Sequence, residues 1–588
     1  MKFRHIPPYL AALGLLMAAP GCKDFYDVNV DPIHPTAAEP QQLLPVVQLA
    51  MSTHLGFNIQ GLGQPAAALV QQLSNGRGTG AYQQESDSFQ SSWNGLYSDM
   101  LANNEQLITQ ATAAEQWGYV GIAKIQKAYV FSQLVDAFGS VPYSQALKGV
   151  ANRAPRFDRD ADIYNGEASL GIQSLFSLID EGIADLDRPN ASVPSSTGGD
   201  IIYKGNKQNW QALGRSLKLK LYNQIRKTTD VSASVRTLLG QQLLTSNSDF
   251  ELKYGTSTQP ENRHIGFLSD YVNSGRENQI GRYFYLLMKY GNGFEYAAPV
   301  ATPYADPRIP YYFYRQSNPS YSTSLYDYQD RNNPSFVTTR LGSRGPAASA
   351  GNAGDRTLPG LYPYAGRYDD GKFGLATGTS ASGAGTQRFI TYFTQKFTEA
   401  ELQLMVLNNE SAAQTAYLEG VKAAFAKVNA LATGTGAPSF TQNDSVSAEL
   451  FGGSYTRTRN GTTTTTTRTG YYNDLFTTRN GQATTQEQKL QAIMEQKYIA
   501  SFGMTLDVYT DFRRTHYPLL PVPETSQANT ALGLFDDQDG QTVGTGQPFP
   551  RRLFYPLDDL ISNTNPDAPK AQVPYSLTDN NYRIFWDR

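Results

Sequence analysis

The amino-acid sequence predicts a mainly α protein, in which tetratricopeptide-like helix pairs form a scaffold and a long loop-rich region carries little β structure. Two observations predict this fold class. Apolar residues recur at helical spacing in two separate parts of the chain, about 41–250 and 390–515. Between them, from about 250 to 390, Pro, Gly, Tyr, Asn and Ser dominate, which is typical of long irregular loops.

The first 21 residues have the layout of a lipoprotein signal peptide. Lys2 and Arg4 precede an apolar run over residues 9–19, which as a helix would span about 16 Å, too short for a bilayer. Small residues then lead to Cys22, the only cysteine in the sequence. We expect Cys22 to carry the lipid anchor and residues 22–40 to form an extended tether. The alternative is a chance cysteine after an ordinary export signal.

The first helical part begins with an apolar, Gln-rich stretch over 41–74 that predicts a helix interrupted near residues 61–63. Four amphipathic helices follow, over residues 90–112, 117–138, 172–186 and 210–225. Trp93 and Trp210 occupy apolar helix faces, so we expect both in the core. The stretch from Trp210 to Leu217 matches the opening half of the tetratricopeptide pattern, which favours stacked helix pairs.

The helical pattern returns at residues 398–428 and 486–502. Between these two segments lies TRTRNGTTTTTTRTG, residues 456–470, whose low complexity predicts an exposed loop or ribbon. The C-terminal segments, residues 516–588, are predicted to be loops with scattered helix. Residues 41–588 are therefore expected to form one domain.

Composition argues against a nucleic-acid partner. The chain has 49 basic and 52 acidic residues, a net charge of −3, and no long block of either sign. Tyrosine is abundant, with 37 copies against 4 Trp, while charged residues make up only 17% of the chain. Such a surface, rich in neutral polar groups and tyrosine, suits neutral polar ligands.

Catalytic and metal-binding patterns are absent from the sequence. The five histidines are scattered, with no second ligand at metal or triad spacing. The acidic doublets Asp369-Asp370 and Asp536-Asp537 lie in Gly-rich contexts, so we expect turn residues there rather than a glycosidase pair. The sequence therefore predicts a binding protein that is not an enzyme, without metal or cofactor.

Seven stretches of the chain carry recognisable motifs. In order, they are DFYDVNVDPIHPT after Cys22, LVDAFGSVPYSQAL (134–147), DPRI (306–309), FTEAELQLMVLNNE with AYLEGVKAAF, EQKYIASFGMTLDVYTDFRRTHYP (495–518), FPRRLFYPLDDL (549–560) and the final FWD (585–587). Together they resemble the SusD/RagB-like family, the outer-membrane nutrient-binding lipoproteins of the Bacteroidetes. The polythreonine stretch and the residues just before Cys22 depart from the family pattern.

The resemblance implies a helical scaffold of four tetratricopeptide-like helix pairs decorated by a loop-rich region. It also implies a partner, a SusC-like TonB-dependent transporter, over which the lipoprotein sits as a lid. On this basis we expect a lipid-anchored protein of the outer membrane, facing the cell surface, that captures oligosaccharides and delivers them to the transporter.

Candidate ligand-binding residues are polar and aromatic side chains in the loops, because sugar rings stack on aromatic planes and sugar hydroxyls hydrogen-bond to Arg and Asn. The tyrosine-rich stretch 362–368 contributes Tyr362 and Tyr368 as further candidates besides Tyr364. The predicted set is Arg77, Tyr82, Arg276, Asn278, Tyr296, Tyr304, Tyr311, Tyr312 and Tyr364.

Three other functions remain open at the level of sequence. The RagB-like branch implies oligopeptide binding with the same import role. A lipidated glycosidase or peptidase would need a catalytic constellation that the sequence does not display. A purely structural adaptor would leave the aromatic loops unexplained.

Overall fold

The computed structural model describes residues 38–75, 84–273, 276–291, 305–318, 329–330, 333–339, 353–439, 444–460, 462–479, 482–520, 549–572 and 583–588. The first helical part contains α1 (Pro40–Leu55), α2 (Gly63–Leu69), α3 (Gln90–Gly95), α4 (Ala102–Ala113), α5 (Trp117–Phe138), α6 (Asp160–Asn165), α7 (Leu175–Asp185), α8 (Lys207–Ile225) and α9 (Ser232–Leu239).

These helices match the sequence prediction closely. The interruption near 61–63 separates α1 from α2. The helix predicted over 90–112 is present as α3 and α4, joined by a π-helical turn at Leu96–Leu101. The next three predicted helices are confirmed as α5, α7 and α8. Side-chain caps fix the starts of α7 and α8: the Ser177 N–H donates to Ser174 Oγ at 3.0 Å and the Asn209 N–H to Asn206 Oδ1 at 3.1 Å. Such caps contribute about 1 kcal/mol.

The loop-rich region contains only short elements. Its described helices are α10 (Ile265–Phe267), α11 (Arg282–Tyr290) and α12 (Ile309–Tyr312). The strand pairs up to residue 390 are β1 (Leu73–Asn75) with β5 (Asn278–Ile280), β2 (Val141–Pro142) with β3 (Phe157–Asp158), β4 (Phe250–Lys253) with β10 (Thr386–Ile390), β6 (Phe313–Arg315) with β9 (Thr357–Pro359), and β7 (Gln329–Asp330) with β8 (Asn333–Val337). Every one of these described pairs is antiparallel and two-stranded.

The second helical part contains α13 (Tyr392–Met405), α14 (Glu410–Thr435), α15 (Asp444–Phe451), α16 (Tyr471–Thr477), α17 (Gln486–Ala500) and α18 (Thr505–Thr515). The predicted 398–428 segment is thus two helices, α13 and α14, separated by a short turn. Thr391 and Thr485 each form a capping box at the start of α13 and α17. A further short helix, α19 (Leu557–Ser562), lies in the C-terminal segments.

Helices that follow one another in the scaffold pack side by side. The helix α5 contacts both α4 and α7, α8 contacts α7 and α13, and α13 packs on α14 and α17. The predicted mainly α fold of helix pairs is therefore confirmed. Trp93 and Trp210 are 3% and 0% exposed, as expected for core residues. Among the described helices, none has both the length and the apolar character needed to cross a membrane.

Residues 453–459 and 462–468 form a two-stranded ribbon within the second helical part. Strands β11 (Gly453–Arg459) and β12 (Thr462–Arg468) pair antiparallel, with Arg459 opposite Thr462 and Gly453 opposite Arg468. A further small ladder joins β13 (Thr478–Arg479) to β14 (Gln482–Ala483). The low-complexity stretch is therefore an exposed ribbon, one of the two conformations that its sequence predicted.

The C-terminal segments close over the end of α5. The Leu553 N–H donates to Ala137 O at 2.8 Å, and the Tyr555 hydroxyl donates to Ser140 O at 2.7 Å. Trp586 is fully buried, and its indole N–H donates to Asp136 Oδ1 at 3.0 Å. Three stretches that carry the family resemblance, 134–147, 549–560 and 585–587, therefore meet at one place.

Candidate functional site

The loop-rich region assembles around the pairing of β1 with β5. Asn75 lies opposite Asn278 in this ladder, so the chain that leads into residues 76–83 is adjacent to the 276–280 segment. Strand β5 also contacts β9, which pairs with β6. The structure therefore brings together four strands from distant parts of the sequence, and one of them, β5, contains the predicted residue Asn278.

Arg276 is held in place by the surrounding loops. Its Nε donates to Gln316 Oε1 at 2.8 Å and its Nη2 to Ala376 O at 2.9 Å. Its own carbonyl accepts a hydrogen bond from Arg356, and its backbone has a φ of +46°. The guanidinium is half-buried and joins Gln316 to the 372–377 loop. Arg276 therefore stabilises the packing of these loops.

Asn278 and Tyr364 both bond to one buried carboxylate, that of Asp270. The Asn278 Nδ2 donates to Asp270 Oδ2 at 2.9 Å, and Gln64 Nε2 donates to Asn278 Oδ1 at 2.8 Å. The Tyr364 hydroxyl also donates to Asp270. Burial raises the pKa of Asp270 to about 6, against the lowering effect of these hydrogen bonds. Asn278 is 2% and Tyr364 0% exposed, so both side chains lie in the interior and stabilise the loops that cover them.

Tyr311 and Tyr312 differ from each other in their surroundings. The ring of Tyr312 is fully buried and stacks on Tyr362 at 4.8 Å and 11°. Tyr311 is also buried, but its ring contacts the half-buried Tyr368 at 4.8 Å, and its hydroxyl donates to Pro438 O. Tyr311 thus packs beneath Tyr368, which reaches the surface, whereas Tyr312 belongs to the core.

The predicted residues Arg77, Tyr82, Tyr296 and Tyr304 lie outside the described residues, as does Cys22. For the buried members of the set, a ligand could reach the rings only if the neighbouring side chains moved. Their contact with ligand therefore stays a prediction.

A surface groove of about 710 Å³ lies between the loop-rich region and the end of α14. One wall is formed by Arg367, Tyr368 and Asp370. The lining also contains Ala430, Leu431 and residues 434–438, at the end of α14, and Thr256, Ser380 and Ser382. The groove therefore combines one half-buried aromatic ring with hydroxyl groups and two charged side chains.

The charged residues at this groove are held by neighbouring groups. The Arg367 guanidinium lies 4.5 Å from the ring centre of Tyr314. Asp369, behind the wall, accepts two hydrogen bonds from Arg315, at 2.6 and 3.0 Å. The backbone N–H of Lys372 donates to Asp370 and is the main cause of the lowered pKa of that carboxyl. These fixed groups give a groove with little need to reorganise when a ligand binds.

The doublet Asp369-Asp370 has the turn geometry that its sequence predicted. Asp369 accepts a hydrogen bond from the Gly371 N–H and Asp370 from the Lys372 N–H, each at 3.0 Å. Over the described ranges, no group of three or more His, Cys, Asp or Glu side chains could hold a metal ion. The arrangement at the groove suits binding through stacking and hydrogen bonds.

Arg367, Thr256 and the 430–438 segment were not among the sequence-predicted residues. Tyr368 lies within the tyrosine-rich 362–368 stretch, and it is the tyrosine of that stretch that lines the groove. The Gly-rich sequence TGTGAP at the end of α14, residues 433–438, is a local feature that could have indicated close approach of another segment.

A sequence profile of the SusD-like family, described as "Starch-binding associating with outer membrane", matches residues 32–534. This match covers most of the chain. The protein belongs to the SusD-like family. A search among curated proteins finds no match.

Solved structures of other SusD-like proteins share this fold. A SusD-like protein of Bacteroidetes AC2a superposes with a TM-score of 0.62 at 16% identity, covering 94% of this chain and 100% of the other. A chitin-binding SusD homolog from Flavobacterium johnsoniae gives 0.58 at 17% identity, covering 93% and 97%. A SusD homolog from Bacteroides fragilis gives 0.57 at 18% identity, covering 90% and 94%. At these identities the likeness establishes the fold of this SusD-like chain.

Proposed function

We propose that this SusD-like protein is a lipoprotein of the outer membrane that captures neutral oligosaccharides at the cell surface and passes them to a SusC-like TonB-dependent transporter. The family description as starch-binding supports a glycan ligand, and one structural relative is chitin-binding. The protein holds the ligand and breaks no bond in it.

The groove at Tyr368 is the observation that carries this proposal. A sugar ring presents C–H groups that pack on an aromatic face, and its hydroxyls pair with Arg, Asp, Ser and Thr side chains. The groove offers this combination, because Tyr368, Arg367 and Asp370 line it together with the hydroxyl groups of Thr256, Ser380, Ser382 and Thr435. Its volume of about 710 Å³ is large enough for several sugar units.

A second groove, on the helical scaffold between α7, α8 and α9, is the competing location. It measures about 790 Å³ and is lined by Asp180, Arg215, Lys218 and Tyr222, among others. The Lys218 ammonium is paired with Asp180 at 2.6 Å, and the Tyr222 ring stacks on Phe176 at 4.4 Å. Phe176 stacks at 21° to the Tyr222 ring and so covers one of its faces, whereas Tyr311 meets the Tyr368 ring at a tilt of 55°. This difference favours the groove at Tyr368 as a stacking surface.

Delivery and anchoring complete the proposal. Lipid chains on Cys22 would hold the domain at the membrane, because each buried methylene contributes about 0.8 kcal/mol. The tether of residues 22–40 would connect the lipid to the scaffold. The transporter then supplies the route inward, and the SusD-like domain supplies the captured ligand.

The test is calorimetric titration of the lipid-free domain with chito-oligosaccharides and malto-oligosaccharides. We expect saturable binding without release of shorter products. Tyr368→Ala should weaken binding about tenfold, equivalent to about 1.4 kcal/mol, because it removes the stacking surface. Tyr222→Ala, which removes a ring from the second groove, is the matched control and should bind as the unchanged protein does.

Three results would contradict the proposal. Formation of shorter sugars would show an enzyme. Binding of oligopeptides with no glycan binding would favour the RagB-like alternative. A loss of binding in Tyr222→Ala but not in Tyr368→Ala would move the site to the helical scaffold.

A further inference from the structure

The ribbon formed by β11 and β12 is exposed on both of its faces. Each residue in Gly453–Arg459 and Thr462–Arg468 is fully or half exposed to solvent. Helix α15, which directly precedes the ribbon in the chain, contacts both of its strands. An isolated two-stranded hairpin has little stability in water by itself, so a ribbon of this length gains from a partner that covers one face.

The two faces of the ribbon differ in chemistry, because side chains alternate along each strand. One face carries only hydroxyl groups, from Ser454, Thr456 and Thr458 opposite Thr467, Thr465 and Thr463. Hydroxyl pairs bridge the strands on this face, at 2.7 Å for Ser454 with Thr467 and 2.9 Å for Thr458 with Thr463. These bonds fix the register of the two strands. They also satisfy part of the hydrogen-bonding capacity of the hydroxyl groups on this face.

The opposite face carries Tyr455, Arg457, Arg459 and Arg468. Arg457 and Arg459 are two positions apart on one strand, about 7 Å, and Arg468 lies about 13 Å along the ribbon from Arg457. We name this surface, Tyr455 with the three arginines, the arginine face. None of the three guanidinium groups has an ion-pair partner within the part of the chain that the structure describes.

The arginine face is a local concentration of positive charge on a protein whose net charge is −3. No Asp or Glu occurs between Glu449 and Asp474, so the ribbon has three positive charges and no negative one. A planar guanidinium pairs with a carboxylate through two parallel hydrogen bonds. A row of such groups beside one aromatic ring fits a chain of sugars that bear carboxylates, since the ring packs on the sugar and the guanidinium pairs with its acid group.

We propose that the arginine face is a docking surface for a carboxylated polysaccharide, a polymer of uronic acids. A membrane surface is the less suitable partner, because an element that lies on lipid needs an apolar face to insert. The ribbon has no Leu, Ile, Val, Phe, Met or Trp. This site is separate from the groove at Tyr368, whose proposed ligand is neutral. It would hold the protein against acidic polymer while the groove takes the neutral oligosaccharide.

The test is binding of polygalacturonate oligomers to the lipid-free domain at low ionic strength, followed by titration with NaCl. We expect binding that weakens steeply as salt rises, because the contacts are exposed charges. The triple variant Arg457→Thr, Arg459→Thr, Arg468→Thr should bind about tenfold more weakly at low salt. Threonine keeps the strand preference of the ribbon, and an unchanged melting temperature would show that the fold is intact.

The matched control removes the same amount of charge elsewhere. Lys148, Arg236 and Lys422 are exposed and lie outside the ribbon, and their triple change to Gln should leave polygalacturonate binding unchanged. Equal weakening in both triple variants would show a general charge effect and overturn the proposal. So would an absence of polygalacturonate binding by the unchanged protein, or binding to vesicles with anionic headgroups but not to the polymer.

Chito-oligosaccharide binding separates this inference from the groove. The ribbon variant should bind neutral oligosaccharides as the unchanged protein does, and Tyr368→Ala should bind polygalacturonate unchanged. If both variants lost both ligands, the two sites would be one, and the arginine face would not be an independent docking surface.

Discussion

Glu401 is the centre of a fully buried ion cluster that joins α8, α13 and α18. It accepts hydrogen bonds from Arg226 at 2.6 Å, from Asn223 at 2.7 Å and from Arg514 Nη2 at 2.8 Å. Burial acts to raise the pKa of Glu401, but the charges of Arg514 and Arg226 outweigh it and hold that pKa well below the ordinary value.

We expect Glu401→Gln to lower the free energy of unfolding by about 3–5 kcal/mol, because the buried Arg226 would lose its counter-charge and the buried Arg514 would keep only Asp511, at 2.8 Å. Since the pKa is depressed in the folded state, the stabilisation is present above the unfolded pKa of about 4.3 and is lost as pH falls below it. Urea unfolding at pH 7 and at pH 3 measures both effects. The difference between variant and unchanged protein should shrink at pH 3.

The control for this prediction lies on the same helix. Glu399 pairs with Lys396 at 3.0 Å, with both side chains about one-fifth exposed. Glu399→Gln should cost less than about 1 kcal/mol, as partly exposed pairs do. A similar loss of unfolding free energy in both variants would mean that the buried cluster stabilises the fold no more than the partly exposed pair does.

The tyrosines of the loop-rich region show what sequence can predict for single residues. Tyr312, Tyr364 and Tyr368 occur in similar stretches rich in Gly, Pro and Tyr. Only packing separates them: Tyr312 and Tyr364 are fully buried, while Tyr368 reaches the groove. The sequence indicated the right region, but it could not indicate which ring faces solvent, because partners such as Asp270 and Pro438 are distant in the chain.

Gly139 ends α5, and the chain turns there into the segment that meets the C-terminus. Its φ is +86°, a conformation that L side chains rarely adopt, and an added Cβ would lie 2.7 Å from Arg552 Nη1. We expect Gly139→Ala to lower the free energy of unfolding by about 1–3 kcal/mol, chiefly through backbone strain. Denaturant unfolding measures this change.

Gly240 provides the matched comparison, since it also follows a helix directly. Its φ is −84°, and an added Cβ would have its nearest contact at 3.5 Å. Gly240→Ala should therefore change stability by less than about 0.5 kcal/mol, or raise it slightly. If the two alanine variants were equally destabilised, the left-handed turn after α5 would not be the cause.

Elements were predicted well wherever the information is local. The helices α5, α7, α8 and α17 follow from apolar spacing, and the last three also from a capping residue at their start. Their existence and approximate bounds are therefore visible in the sequence. The 456–470 stretch predicted either a loop or a ribbon. The ribbon forms because Asn460-Gly461 sits between two runs rich in β-branched threonine, a strong turn signal in a hairpin.

At the scale of the whole molecule, the groove depends on contacts between remote segments. One wall comes from residues 361–384 and the other from the end of α14, about 50 residues later. The β1–β5 ladder joins segments about 200 residues apart. No periodicity in the sequence encodes such pairings, because they arise from the way the scaffold folds the loop-rich region against itself. Resemblance to the family was the only sequence feature that placed these segments in one region.

The anchor proposed at Cys22 determines where the whole molecule resides. Cys22→Ser removes the only thiol that could carry a lipid, so we expect the variant to leave the membrane fraction when produced in a Bacteroidetes host. The groove is built from residues 256–438, so oligosaccharide binding in solution should be unchanged. Fractionation of a strain without the transporter gives the decisive measurement, since a bound partner could otherwise retain the variant. If Cys22→Ser stayed with the outer membrane in that strain, another attachment would hold the protein, and the lipoprotein assignment would be wrong.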